Sequence, residues 1–270
     1  MNSRLVAIAI GAAATASVVG LGLYRLRQPH GKTVAAHAVL GRDRSDSTTS
    51  GCRAIGGMAQ EHLRSGQADR FSTITAMVTG DARSNDEPVE FARVNEVHKI
   101  RAGEGRQSIA RKEAAIVDEL VRRCEEQGGS DRSPIYLMIR RGMEGLRSLG
   151  CHEGTNCVLY IQSDLAENGE AGLRKALMGD KNAILPAPID NRGIAVHICG
   201  TAQSSGPVDG KGRVVTERRL RGARLADISV SIWRREFTAP ALVTFEPTCP
   251  TAGNLGDENM AASGDSQGRR

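Results

Sequence analysis

Apolar and polar positions fall in blocks along the chain, and the longest purely apolar block comes first. Residues 5–24 (LVAIAIGAAATASVVGLGLY) carry no charge, and about 20 such residues at ~1.5 Å each are enough to cross a bilayer core. Two readings fit: an uncleaved single-pass anchor, or a signal peptide cut after Ala14-Thr15-Ala16. The run continues past that triplet and is stopped by Arg25 and Arg27, which favours the anchor. The pattern divides the chain into 1–27 as transmembrane anchor or signal peptide, 28–51 as a flexible tether, 52–250 as the folded domain and 251–270 as a disordered, polar tail.

Inside the domain the periodicity switches repeatedly between strand and helix. Residues 54–63 predict a short helix, and 71–78 (FSTITAMV) predict the first core strand, broken by the oxygen-rich segment 79–88. The β-branched residues of 89–100 predict an extended strand or hairpin. Ile109, Ile116, Val117, Leu120, Val121 and Cys124 make one stripe at helical spacing over 108–127, ended by Gly128-Gly129. Ser133-Pro134 supplies an N-cap and a proline at the first helical position, and helical spacing then runs to Gly150.

The apolar run 157–164 (CVLYIQSD) predicts a buried parallel strand that delivers Asp164 to the carboxyl edge of a sheet. A short helix at 169–178 and a second buried strand at 193–200 follow. A helix at 216–236 turns Leu225, Ile228, Ile232 and Trp233 inward, and 241–245 predicts a last edge strand. This alternation predicts an α/β fold: a Rossmann-like open, mostly parallel sheet with helices on both faces.

Composition narrows the function classes. Aromatic residues are only 3% with one Trp, so the core is aliphatic and the stacking side chains of single-stranded nucleic-acid binders are scarce, which argues against a nucleic-acid partner. The net charge of +5 comes from scattered Arg, and a solvated helix face accounts for it. The six Cys match no zinc-ribbon or thioredoxin spacing. Cys124 and Cys199 sit at buried positions and read as thiols. Cys151 with Cys157 across a short loop, and Cys52 with Cys249 near the domain ends, are the disulfide candidates for an extracytoplasmic domain. The arginines after the apolar run taken alone place the domain in the cytoplasm, whereas the even Cys count and the export-like amino terminus favour the extracytoplasmic side.

The order strand, carboxylate loop, helix, Ser-Pro helix, strand ending in Ser-Asp, helix, strand, long helix resembles the von Willebrand factor A-like family. The residues that carry it are Val78-Thr79-Gly80-Asp81-Ala82-Arg83-Ser84 for the first loop, Ser133-Pro134-Ile135-Tyr136 for the hydroxyl that opens a helix, and Leu159-Tyr160-Ile161-Gln162-Ser163-Asp164 for the third loop. The resemblance implies a Mg²⁺ ion held by Asp81, Ser84, Ser133 and Asp164, and a protein partner bound at that edge. Hard cations prefer such oxygens. The family's first loop has an Asp at the strand end followed by two Ser at alternate positions, and Arg83 stands here in place of one hydroxyl.

Cys151, His152, Cys157, His197 and Cys199 invite a zinc reading, but the strand assignments place them at opposite sheet edges. No G-x-S-x-G elbow and no phosphate loop is present. Two functions stand: a membrane-tethered binding domain, and a divalent-metal-dependent hydrolase using Asp81 and Asp164. No general base stands out beside those loops, which favours binding over an enzyme.

Overall fold

The computed structural model describes residues 36–44, 51–64, 72–95, 105–130, 132–201 and 222–252, all within one compact unit. Six strands form one sheet: β1 (Ala36–Arg42), β2 (Thr73–Val78), β3 (Val89–Asn95), β4 (Asn156–Gln162), β5 (Ala195–Cys199) and β6 (Val243–Glu246). Their order is β3-β2-β1-β4-β5-β6. Every neighbouring pair is parallel except β2 with β3, an antiparallel edge hairpin. The expected open, mostly parallel α/β sheet is what the chain forms.

Helices α1 (Gly51–Arg64) and α2 (Arg106–Glu125) cover one face, and α3 (Ile135–Ser148), α4 (Ala171–Leu177) and α5 (Gly222–Arg235) cover the other. The strand period of two divides the side chains between these layers. Val39, Leu159, Ile161, Val196 and Ile198 join Ile139, Leu146, Leu173 and Trp233 on the α3 side, while Ala38, Leu40, Ile74, Val158 and Tyr160 join Ile55, Met58 and Leu120 on the α1 side. Trp233 of α5 points inward as its spacing predicts, but Ile228 is exposed, because a helix on a sheet edge buries a narrower stripe than the periodicity suggests.

Two expectations need correction. The segment 28–51 is not a continuous tether, since residues 36–42 form the central strand β1, buried along nearly its whole length; the folded domain therefore includes residues before 52. The Cys52–Cys249 bridge is not formed. Cys52 on α1 faces Cys124 on α2 and bonds to it, and Cys249, just after β6, bonds to Cys199 at the end of neighbouring β5. Cys124 and Cys199 are thus buried half-cystines rather than thiols, and Cys151 is bonded to Cys157. No helix among the described residues is long and apolar enough to cross a membrane. Residues 1–27, on which the expectation of a membrane-spanning helix falls, and the polar tail beyond 252 lie outside the described residues.

The close approach of α1 to the chain after β6 depends on a glycine. A Cβ on Gly57 would stand 2.2 Å from the Pro250 carbonyl oxygen, a backbone atom that has no rotamer to move. Gly→Ala inside a helix ordinarily stabilises by up to ~1 kcal/mol. Here the clash wins, and Gly57→Ala is expected to lower the urea midpoint by an amount equivalent to about 2 kcal/mol, with the slope of the transition unchanged.

Candidate functional site

The carboxyl ends of β1 and β4 lie side by side where the chain order reverses, the crevice in which open α/β sheets bind ligands. Three loops meet there. β1 delivers Asp43, whose N–H donates to Gln162 O at 2.9 Å. The Ser133 hydroxyl donates to Asp43 Oδ1 at 2.9 Å, and the Ser163 hydroxyl donates to Asp43 Oδ2 at 3.1 Å. Ser133 precedes α3, and Ser163 follows β4. All three side chains are buried, so each hydrogen bond excludes water and its loss leaves an unsatisfied polar group.

The loop after β4 is held by its own side chains. Asp164 Oδ1 accepts from Ala166 N at 2.9 Å, and the Ser163 hydroxyl accepts from Leu165 N at 2.9 Å. Leu165 has φ of 65°, a left-handed conformation that costs a non-glycine residue on the order of 1–3 kcal/mol and persists only where the surroundings enforce it. Here the Trp233 indole N–H donates to Leu165 O at 3.1 Å.

Two residues later the fully buried Glu167 carboxylate accepts from the backbone N–H groups of Tyr136, Gly169 and Glu170. It thereby caps α3 and the approach to α4. Burial pushes its carboxyl up to about 7, with the Asp43 carboxylate adding to the rise, against the lowering effect of the three N–H donors.

Asp81 and Ser84 are placed differently from the expected ion ligands. Asp81 caps a single 3-10 turn, Ala82–Ser84: its Oδ1 accepts from Arg83 N and Ser84 N at 2.9 and 3.0 Å, and Ser84 Oγ accepts from Asp81 N at 2.9 Å. Asp81 Oδ2 pairs with Arg44 at 2.9 Å. Backbone donation from Ser84, then from Arg83, with Arg44 and Arg83 beside it, holds its carboxyl below the usual range. Asp81 is consumed in a capping box and an ion pair, and Ser84 in the same turn.

Of the four residues, Ser133 and Asp164 belong to the crevice, whereas Asp81 and Ser84 do not join them. Among the described residues no group of three or more His, Cys, Asp or Glu side chains is placed to hold a metal ion. The metal-binding expectation is corrected accordingly.

Asp43, Ser163 and Glu167 are the site residues that sequence reasoning missed. A signal for the first is present in Asp43-Arg44-Ser45-Asp46-Ser47, an Asp followed by serines at alternate positions, but the short, weakly apolar β1 before it does not announce itself as a strand. Ser45, Asp46 and Ser47 lie outside the described residues.

No protein-family model matches the chain, and no curated protein does. Among solved structures, the conserved hypothetical protein BatB from Bacteroides thetaiotaomicron aligns with a TM-score of 0.37 at 11% identity, over 84% of this chain and 96% of that one. Proximal thread matrix protein 1 from the mussel byssus aligns with a TM-score of 0.35 at 10% identity, over 80% of this chain and 42% of that one.

The three loops form a platform with an exposed rim. Arg132, before α3, pairs with Asp86 of the β2–β3 loop at 3.0 Å. The loop between α4 and β5 is pinned from two sides: the Tyr136 hydroxyl donates to Ala187 O at 2.6 Å, and the Ile184 carbonyl lies so close to the first turn of α4 that a Cβ on Gly172 would stand 1.9 Å from its oxygen. Ile184 is 88% exposed beside that turn.

Proposed function

We propose that the chain is a von Willebrand factor A-like binding domain that engages a protein partner through the carboxyl edge of its sheet, in an oxidising, extracytoplasmic compartment. The observation that carries the reading is the hub formed by Asp43, Ser133 and Ser163 at the β1/β4 crevice, which fixes three loops, while the exposed Ile184 stands against the first turn of α4. A large apolar side chain held in the open has the character of an interface anchor. The open, mostly parallel sheet supports the fold that the resemblance implies. Cysteine usage supports the compartment: no free cysteine remains, and such bonding persists where thiols are not kept reduced.

Photo-crosslinking tests the partner surface. With a benzophenone side chain at Ile184 or at Arg132, in cells that express the full chain, both rim positions are expected to give the same discrete protein adduct. The same probe at the exposed Arg111 of α2 gives none. A probe at Arg111 that captures the same species equally well, or two rim positions that share no adduct, overturns the reading.

A further inference from the structure

A second concavity lies at the opposite end of the sheet, beside the amino ends of β4 and β5. It has a volume of about 660 Å³, within the range of small-molecule sites. On the α1 face the strands β5 and β6 carry no helix among the described residues, so Ala195 and His197 of β5 and Thr244 and Glu246 of β6 remain partly or largely exposed.

Two aromatic rings line the floor. The Tyr160 ring stacks on the His197 imidazole at 5.2 Å between centroids and 21° between planes. His197 is oriented by Thr244, with Nδ1 and Oγ1 2.8 Å apart. Val158 and Ala195 extend the floor with aliphatic surface.

The walls are acidic. Glu61, on the last turn of α1, and Glu153, in the turn before β4, both line the cleft, both are exposed, and neither side chain has an ion-pair partner among the described residues. The one arginine of the lining, Arg192, is neutralised by a two-pronged pair with Asp190, at 2.9 and 2.8 Å. A second observation is independent of the carboxylates. Tyr160 is only 7% exposed, yet its hydroxyl, on a residue that lines the cleft, has no hydrogen-bond partner among the described residues. Burial, then the Glu61 and Glu246 carboxylates, push that phenol up to about 12, so it stays protonated and available to a ligand at neutral pH.

We propose that this cleft binds a flat organic cation, an aryl amidine or arylalkylamine, with its ring on the Tyr160–His197 stack and its charged end between Glu61 and Glu153. The aromatic face attracts a cation electrostatically, and hydrogen bonds to ionised groups are about twice as strong as neutral ones. The assignment is independent of the partner surface at the other edge.

The test uses p-aminobenzamidine, whose fluorescence rises on leaving water, titrated into the full chain. Saturable enhancement is expected, weakened about tenfold in Glu61→Gln, where one charge-assisted bond is lost, and weakened again in Tyr160→Phe. Glu61 is exposed, so E61Q keeps the fold, and unchanged circular dichroism verifies it. The anion p-aminobenzoate does not compete, and Ile184→Asp binds the probe as the parent does. No saturable signal up to millimolar probe, equal competition by p-aminobenzoate, or unchanged affinity in E61Q overturns the assignment.

Discussion

Replacing Cys52 and Cys124 together with alanine is expected to lower the unfolding free energy by about 4 kcal/mol, roughly 10 °C in the thermal midpoint. The two residues are 72 positions apart, and a cross-link that closes a loop of this length removes much of the freedom of the unfolded chain. The native state loses as well, because Cys124 is fully buried and the Arg42 guanidinium lies 3.2 and 3.5 Å from the two sulfurs. The companion variant without Cys151 and Cys157, only 6 positions apart, is expected to lose about 2 kcal/mol on the same reasoning. Urea unfolding of the two double variants checks the ordering. Equal losses refute the loop-length account and leave local packing as the cause.

The second large effect is on pH. Glu167 has a folded pKa of about 7 against 4.5 for the free side chain, and Glu236, also buried, behaves alike through burial and the neighbouring Glu170 carboxylate. For a carboxyl raised in this way the folded state holds more protons than the unfolded state between those two values. Its contribution to stability is complete below pH 4.5 and is lost as pH rises toward 7. For the fully enclosed Glu167 the change is on the order of 3 kcal/mol across that window.

Chemical unfolding at intervals from pH 4.5 to 7.5 is therefore expected to show a falling stability. Glu167→Gln flattens that slope at the cost of a weaker cap on Tyr136 N. A slope that is unchanged in the variant removes Glu167 as its source.

The strands and helices with long, pure patterns were legible in the sequence. CVLYIQSD gave β4 and the Ser163-Asp164 corner because an apolar run buried on both faces, ended by polar residues, has few other uses. β1 was not legible for a physical reason. AHAVLGR is a seven-residue stretch with a His, a Gly and an Arg, set between polar segments, and its burial comes from pairing with β2 and β4 rather than from its own hydrophobicity.

With β1 hidden, the sequence pattern points to Asp81 after the clearer strand β2, whereas the structure brings Asp43 to the crevice. The two look alike in the chain, each following a strand and preceding serines. What separates them is the kind of partner: Asp43 accepts from the Ser133 and Ser163 hydroxyls of distant loops, while Asp81 caps its own turn and pairs with Arg44. Cys124 shows the same limit, since a position on an apolar stripe suits a thiol and a buried disulfide equally.

The central place of β1 bears on how the chain is made. It is the first of the six strands to leave the ribosome, yet it needs partners on both sides, and the second of them, β4, pairs Asn156 with Ala36. Until that stretch has been synthesised, one edge of β1 stays open to any other extended segment nearby. The nascent chain therefore passes through a long interval in which the strand that becomes the centre of its sheet has an unpaired edge, and folding machinery that shields an extended peptide would act on this stretch first.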